Sequence, residues 1–179
     1  MARELLKNEH VKLAVKHADK KGWNPLHFAV KWRNKVLTEL LLEQNMNIVY
    51  MQDNEGRTAL HIAAADGSWQ IMETIIKRYP DCSELVDNKG QNFLHYAVNW
   101  RRLFTVIRIM RNQSVAHLFN EKDDRGNTPL NLRNYYMFFF PLMNRLRREA
   151  TALKFAYAKS EDSNTTLMTQ VIKLALNSN

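Results

Sequence analysis

Four short segments of the chain repeat one pattern at nearly constant spacing. They read DKKGWNPLHFAV from residue 19, DNEGRTALHIAA from residue 53, DNKGQNFLHYAV from residue 87 and DDRGNTPLNLRN from residue 123. Their glycines are separated by 34, 34 and 36 residues. A period of this length is typical of a solenoid, in which one small unit stacks on the next to bury a shared core. The repeated glycines are Gly22, Gly56, Gly90 and Gly126, four of the five in the chain.

Each segment predicts a tight turn followed by the start of a helix. An aspartate stands three residues before the glycine, and a type I turn prefers aspartate at its first position and glycine at its fourth. Two residues after the glycine comes Asn or Thr, whose side-chain oxygen can cap a helix. Pro25 and Pro129 then occupy the first helical position, where a missing N–H costs nothing. The predicted caps are Asn24, Thr58, Asn92 and Thr128.

A second helix is predicted in each full copy by an apolar pair nineteen residues after the glycine. The surrounding segments VLTELLLE, WQIMETIIKR and FTVIRIMR mix apolar and charged residues as a helix with one buried face would. An alanine lies seven residues after each glycine, and its small side chain leaves room for close helix packing. The alanines are Ala29, Ala63 and Ala97, and the apolar pairs begin at Leu41, Ile75 and Ile109.

These motifs resemble the ankyrin repeat, a unit of about 33 residues with a T-P-L-H-x-A core. The resemblance implies an all-α solenoid of helix–turn–helix units with short turn or β-hairpin fingers, acting as a non-catalytic protein-interaction scaffold. We predict a partial capping repeat over residues 1–18 and repeats over 19–52, 53–86 and 87–122. A degenerate partial repeat with a basic amphipathic helix is predicted over residues 123–159, and a tail over 160–179.

Within ankyrin proteins, the segments GWNPLHFAV, DNEGRTALHIAAADG and CSELVDNKGQNFLHYAV are similar to the plant membrane-anchored group of the accelerated-cell-death type. That family joins cytosolic repeats to a C-terminal hydrophobic domain with a Pro-Gly-Gly motif, and it is linked to defence and stress signalling. The segment EDSNTTLM resembles the region just before the first membrane span of that domain. The resemblance implies a truncated or spliced member without its anchor, located in the cytoplasm or at the cytoplasmic face of the plasma membrane.

The distribution of charge argues against a continuous surface for nucleic acid. The net charge is +8, of which residues 1–24 carry +3, residues 25–130 carry +1 and residues 131–179 carry +4. A phosphate-binding face needs Lys and Arg clustered along one surface, whereas here the centre is nearly neutral. We therefore expect protein partners rather than nucleic acid, and keep a peripheral binder that uses its basic ends as an alternative.

Neither the histidines nor the cysteine predicts catalysis. Equivalent side chains of stacked repeats lie about 10 Å apart, too far to share a zinc ion. We expect each repeat histidine to bridge backbone groups of its own turn and of the next repeat. Cys82 has no readable partner base, and no nucleotide-binding or H-E-x-x-H motif occurs. The sequence predicts no enzyme, cofactor, metal site or small-molecule substrate. The histidines concerned are His27, His61 and His95.

Positions where the copies differ are the candidates for partner binding. Ten residues after each glycine stand Trp32, Asp66 and Trp100, on the side of the first helix that usually lines the concave groove of such repeats. Arg33 and Arg101 follow the two tryptophans, and Trp and Arg are favoured anchors at interfaces. The alternative is that these tryptophans pack between helix pairs. A second candidate row is formed by the turn-tip residues Trp23, Arg57, Gln91 and Asn127.

The segment PLMNRLRREATALKFAYAK predicts a basic amphipathic helix near the C-terminus. Its apolar positions recur at helical spacing and its arginines and lysines fall largely elsewhere. Such a helix can cap the last repeat, contact an anionic membrane weakly, or enter a calmodulin-like groove. The sequence leaves these three roles open.

Overall fold

The computed structural model describes residues 17–100, 102–110 and 112–129. Six α-helices and three 3₁₀ helices occur within these residues, which contain no β-strand. The first helices of the repeats are α1 (Pro25–Lys31), α3 (Ala59–Asp66) and α5 (Phe93–Asn99), and the second helices are α2 (Lys35–Gln44), α4 (Trp69–Arg78) and α6 (Leu103–Met110). The 3₁₀ helices are η1 (Met46–Tyr50), η2 (Pro80–Glu84) and η3 (Gln113–Asn120).

The helices pack as three consecutive hairpins that stack in one direction. Helix α1 packs on α2, α3 on α4, and α5 on α6. The first helices form one layer, in which α3 contacts both α1 and α5, and the second helices form another, in which α4 contacts both α2 and α6. This arrangement confirms the all-α solenoid of helix–turn–helix units that the resemblance implies.

The aspartate of each repeat holds the turn, here called the finger, that precedes the first helix. In the second copy, Asp53 Oδ1 accepts the backbone N–H groups of Glu55 and Arg57, both at 2.9 Å. Gly56 donates its N–H to the Asp53 carbonyl and has a φ of 78°, a conformation that glycine adopts without strain. Neighbouring fingers are linked as well, since Asn88 N–H donates to the Glu55 carbonyl at 3.0 Å. The fingers are therefore turns joined edge to edge.

The buried histidine of each repeat connects its own helix start to the next finger. In the first copy, Asn24 N–H donates to His27 Nδ1 at 3.3 Å, and His27 Nε2 lies 3.0 Å from the Arg57 carbonyl. A carbonyl can only accept, so Nε2 carries the ring proton and the imidazole is neutral. In the second copy the cap is Thr58, whose hydroxyl lies 2.8 Å from His61 Nδ1. The equivalent bridges join His61 to the Gln91 carbonyl and His95 to the Asn127 carbonyl, each at 3.0 Å.

Small residues let the first helices approach one another closely. The alanines predicted for this role, one in each first helix, have no exposed surface. The described residues of the apolar pairs are buried in the same core, namely Leu41, Leu42, Ile75, Ile76 and Ile109. A leucine two residues after each helix cap adds to it: Leu26, Leu60 and Leu94. The resulting core is continuous from the first hairpin to the third. The alanines are Ala29, Ala63 and Ala97.

A 3₁₀ helix follows each second helix, and the sequence pattern does not predict it. Asn45 and Asn112 cap η1 and η3 by accepting the backbone N–H two residues later, both at 3.1 Å. The segment η1 connects α2 to the next finger. Its residues Ile48 and Val49 are fully buried, so it also adds to the core.

Several predictions fall on residues that the structure does not describe. These are the N-terminal cap up to residue 16, the C-terminal basic helix and the tail, and the helix predicted after Thr128. Within the part of the chain that is described, no helix is long and apolar enough to cross a membrane.

Candidate protein-binding surface

Two tryptophans lie exposed at the C-terminal ends of α1 and α5. Trp32 is the C-cap residue of α1 and 70% of its surface is exposed; Trp100 is the C-cap residue of α5 and is 58% exposed. The Trp32 ring has the Phe28 ring beside it, with centroids 5.5 Å apart. Tryptophan is usually well buried, so two indoles in solvent are unusual. We call Trp32 and Trp100 the tryptophan row.

The backbone enters the left-handed region just after α1 and just after α3. Gly67 does so with a φ of 74°, and Arg33 does so with a φ of 55°. This conformation costs a residue with a Cβ about 1–2 kcal/mol, whereas glycine adopts it freely. In both copies the next backbone N–H turns back to the helix and donates at 2.9 Å. These bonds run from Asn34 to the Ala29 carbonyl and from Ser68 to the Ala63 carbonyl.

Among the described residues, three cations lie around the C-terminal end of α3. Arg33 Nη2 donates to the Asp66 carbonyl and Arg102 Nε donates to the Ala65 carbonyl, both at 2.7 Å. Lys31 Nζ lies 3.1 Å from the Asp66 carboxylate. The last carbonyls of a helix have no partner inside it, and their partial negative charge favours cations. We call Lys31, Arg33, Arg102 and Asp66 the α3 basic cluster.

Gly67 makes room for one of these cations. A Cβ at Gly67 would lie 2.8 Å from Cδ of Arg102, closer than real Cβ contacts allow. The Arg102 side chain of the third repeat therefore passes over Gly67, where the second repeat has no side chain, and reaches α3. Because the cluster takes residues from three consecutive repeats, the stacking of the hairpins is what assembles it.

The turn-tip row is less available for a partner than the sequence suggested, because its side chains are engaged within the stack. Trp23 Nε1 donates to Asp53 Oδ2 at 3.0 Å, and the Arg57 guanidinium lies 2.7 Å from the same oxygen. Gln91 Nε2 donates to Asp123 Oδ2 at 3.2 Å. The finger aspartates offer a second oxygen that these residues bind, and partner binding by this row stays a prediction. Asn127 likewise contacts Asp123.

Burial favours the uncharged forms of three histidines and of the cysteine. Burial lowers the pKa of His61 from 6.5 to about 4, and burial also lowers the pKa of His27 and of His95. Burial raises the pKa of the Cys82 thiol to about 12, and this side chain is 1% exposed. Among the described residues, no three His, Cys, Asp or Glu side chains are grouped to hold a metal ion.

The differences between the copies predict Trp32, Arg33, Asp66 and Trp100 as site residues, but they do not predict Lys31 or Arg102. Arg101, which they also predict, lies outside the described residues. A signal for the missed pair was present, since basic residues flank the tryptophans in KWR and WRR. Lys31 of the first motif and Arg102 of the second contact α3. Only the stacking of the repeats determines which basic residues do so.

Comparison with known families agrees with the repeat architecture. A family model for ankyrin repeats, in three copies, matches residues 1–84 and residues 35–117. The two matches overlap and together span well over half of the 179 residues. A search of curated proteins finds no match. The chain belongs to the ankyrin-repeat family.

Proposed function

We propose that this protein is a non-catalytic binding module and that a protein partner docks on the tryptophan row and the α3 basic cluster. Ankyrin repeats are in general protein-interaction modules, which supports the class of function. The observation that carries the choice of surface is the exposure of Trp32 and Trp100, at 70% and 58%. Trp and Arg are the residues most enriched among interface hot spots, and here both types stand side by side.

The competing interpretation assigns the tryptophans to the core. A tryptophan that holds helix pairs together would be mostly buried, and its removal would cost about 3–5 kcal/mol. With most of each indole in water, we expect Trp32→Ala with Trp100→Ala to cost far less than this. The same exposure leaves a large apolar area for a partner to cover.

The test compares partner capture with stability in matched variants. A photo-crosslinking amino acid at position 32 should yield the same partner adducts as one at position 100. The same amino acid at position 36 should not yield these adducts. The double variant Trp32→Ala, Trp100→Ala should lose this partner while its thermal midpoint stays within about 4 °C of the parent chain. Val36→Ala is the control, because Val36 is 67% exposed and lies in α2. Unchanged capture by the double variant would rule out this surface, and a large fall in the midpoint would return the tryptophans to the core.

A finer proposal rests on the resemblance to the plant membrane-anchored group. We propose that the module works in plant defence or stress signalling at the cytoplasmic face of the plasma membrane. The segments GWNPLHFAV and DNEGRTALHIAAADG support it. Fractionation of the endogenous protein is the test: recovery away from plasma-membrane fractions, before and after challenge, would contradict the proposal.

The basic ends supply the second candidate, a peripheral binder of anionic membranes or nucleic acid. It is favoured by the charges of +3 over residues 1–24 and +4 over residues 131–179. Co-sedimentation with vesicles that contain anionic lipid, at moderate salt, tests the membrane form. A gel-shift titration with duplex DNA tests the other, and both must show steep salt dependence if the basic ends act this way.

A further inference from the structure

We propose that the partner segment is acidic and extended, and that it carries two apolar anchors about six residues apart. This inference rests on the proposed function, because it specifies which chain the tryptophan row and the α3 basic cluster accept. The anchors would cover Trp32 and Trp100, and the carboxylates between them would lie over Arg33 and Arg102.

The charge of the cluster is only partly compensated within the described residues. Lys31 pairs with Asp66, whereas the hydrogen bonds of Arg33 and Arg102 go to backbone carbonyls. The negative end of a helix is equivalent to about half a charge, so it cannot balance two guanidinium groups. Each arginine uses one N–H group of its guanidinium to bind α3, and the other N–H groups can still donate. The planar guanidinium matches the geometry of a carboxylate.

The position of the cluster between the two indoles sets the shape of the partner. Helix α3 contacts α1 on one side and α5 on the other, and packed helices lie about 8–10 Å apart. The helix ends that carry Trp32 and Trp100 are therefore roughly 20 Å apart, and about six residues of extended chain at 3.3 Å each span that distance. A partner helix would need about thirteen residues for the same span at 1.5 Å each.

Two carboxylates near this surface are each paired with a cation. Lys35 lies 3.6 Å from Glu39, so these two charges offset each other. Asp66 is the carboxylate of the cluster, its side chain is only 16% exposed, and Lys31 covers it. An acidic segment on this surface therefore meets two arginines and a paired aspartate.

Synthetic peptides of defined sequence test the proposal. The probe is a fluorescein-labelled Trp-Glu₅-Trp, whose anchors are six residues apart, titrated with the full chain and followed by anisotropy. At about 50 mM salt we expect it to bind at least about tenfold more tightly than Trp-Gln₅-Trp or Ala-Glu₅-Ala. Shortening the spacer to Glu₂ should also weaken binding, and raising the salt to about 0.5 M should remove most of the preference for Glu over Gln.

Two variants connect this preference to the cluster. Arg33→Gln should reduce the preference for the acidic probe, while Arg33→Lys should keep part of it because the charge remains. Lys77→Gln is the control, since Lys77 lies on α4 and pairs with Glu73. Thermal unfolding of each variant shows whether the fold is kept, and the salt series on the parent chain needs no variant.

The proposal would be overturned by equal affinity for the Glu₅ and Gln₅ probes, or by an equal effect of Lys77→Gln and Arg33→Gln. The proposed function can survive that result. If Trp32→Ala with Trp100→Ala still abolishes partner capture, the surface is right and the acidic preference is wrong. If capture persists in the double variant, the surface itself is wrong.

Discussion

Adding a side chain to a finger glycine has two costs in free energy of unfolding, backbone strain and a clash with the next finger. Comparing Gly56→Ala with Gly126→Ala separates them. Both glycines have a φ of 78°. A Cβ at Gly56 would lie 2.5 Å from the backbone nitrogen and from Oδ1 of Asn88 in the next finger. A Cβ at Gly126 would meet no described atom within 4 Å. The first variant therefore introduces strain and a clash, and the second introduces strain alone.

The expected magnitudes follow from these two terms. A left-handed conformation costs alanine about 1–2 kcal/mol relative to glycine, and this applies to both variants. The clash at Gly56 involves backbone that is fixed by the bond from Asn88 N–H to the Glu55 carbonyl, so the fingers must move apart. Overpacking of this kind adds about 1–3 kcal/mol. We expect a loss of about 2–5 kcal/mol for Gly56→Ala and about 1–2 kcal/mol for Gly126→Ala.

Urea unfolding followed by circular dichroism at two protein concentrations measures both losses. Thermal midpoints provide a second measurement, since a chain of this size loses about 2–4 °C per kcal/mol. Gly67→Ala is a third comparison, because its clash is with the flexible side chain of Arg102 instead of backbone. Equal losses at Gly56 and Gly126 would refute the reasoning, since they would mean that contact between successive fingers does not matter for stability.

Two further predictions concern His61 and Arg33. Because burial lowers the pKa of His61 from 6.5 to about 4, the unfolded chain takes up its proton first, and stability falls as pH drops from about 6.5 to 4. The loss from this residue is roughly 3 kcal/mol. His61→Gln should reduce the pH dependence of the urea midpoint in this range, and His27 and His95 account for part of what remains. For Arg33, the Gly variant should be about 1 kcal/mol more stable than the Ala variant, because both lack the guanidinium and only alanine is strained at a φ of 55°. Equal unfolding midpoints would contradict that account.

Local chemistry explains why so much of the fold could be predicted. The turn, the cap and the first helix depend on residues within a few positions of each other, such as Asp53, Gly56 and Thr58, so the pattern in the sequence determines them. The fixed spacing to the apolar pair then places the second helix, and each of the three second helices contains its apolar pair. The 3₁₀ helices were missed because their short apolar stretches, such as Ile48 and Val49, carry no helical period.

Contacts between repeats explain what could not be predicted. The sequence predicts Trp23 at a turn tip but not its partner: it donates to Asp53, 30 residues away, because the next finger presents a carboxylate oxygen at that point. Arg102 reaches the Ala65 carbonyl, 37 residues earlier, only because Gly67 lacks a side chain along its path. The exposure of Trp32 also depends on which neighbours cover the helix end. Such contacts follow from the stacking geometry, which a local pattern does not contain.

Arg33 shows how stability and binding can be separated at one position. A glycine there would relieve about 1–2 kcal/mol of backbone strain, as Gly67 does after α3. The hydrogen bond from Arg33 to the Asp66 carbonyl contributes about 1.5–3 kcal/mol when a charged donor is involved, less the side-chain entropy that is lost. These terms nearly cancel, so arginine and glycine should support the fold about equally. Arginine then differs from glycine at this position mainly by the positive charge it places beside Trp32. A residue that is strained and adds little to stability is expected at a binding surface more than in a structural role.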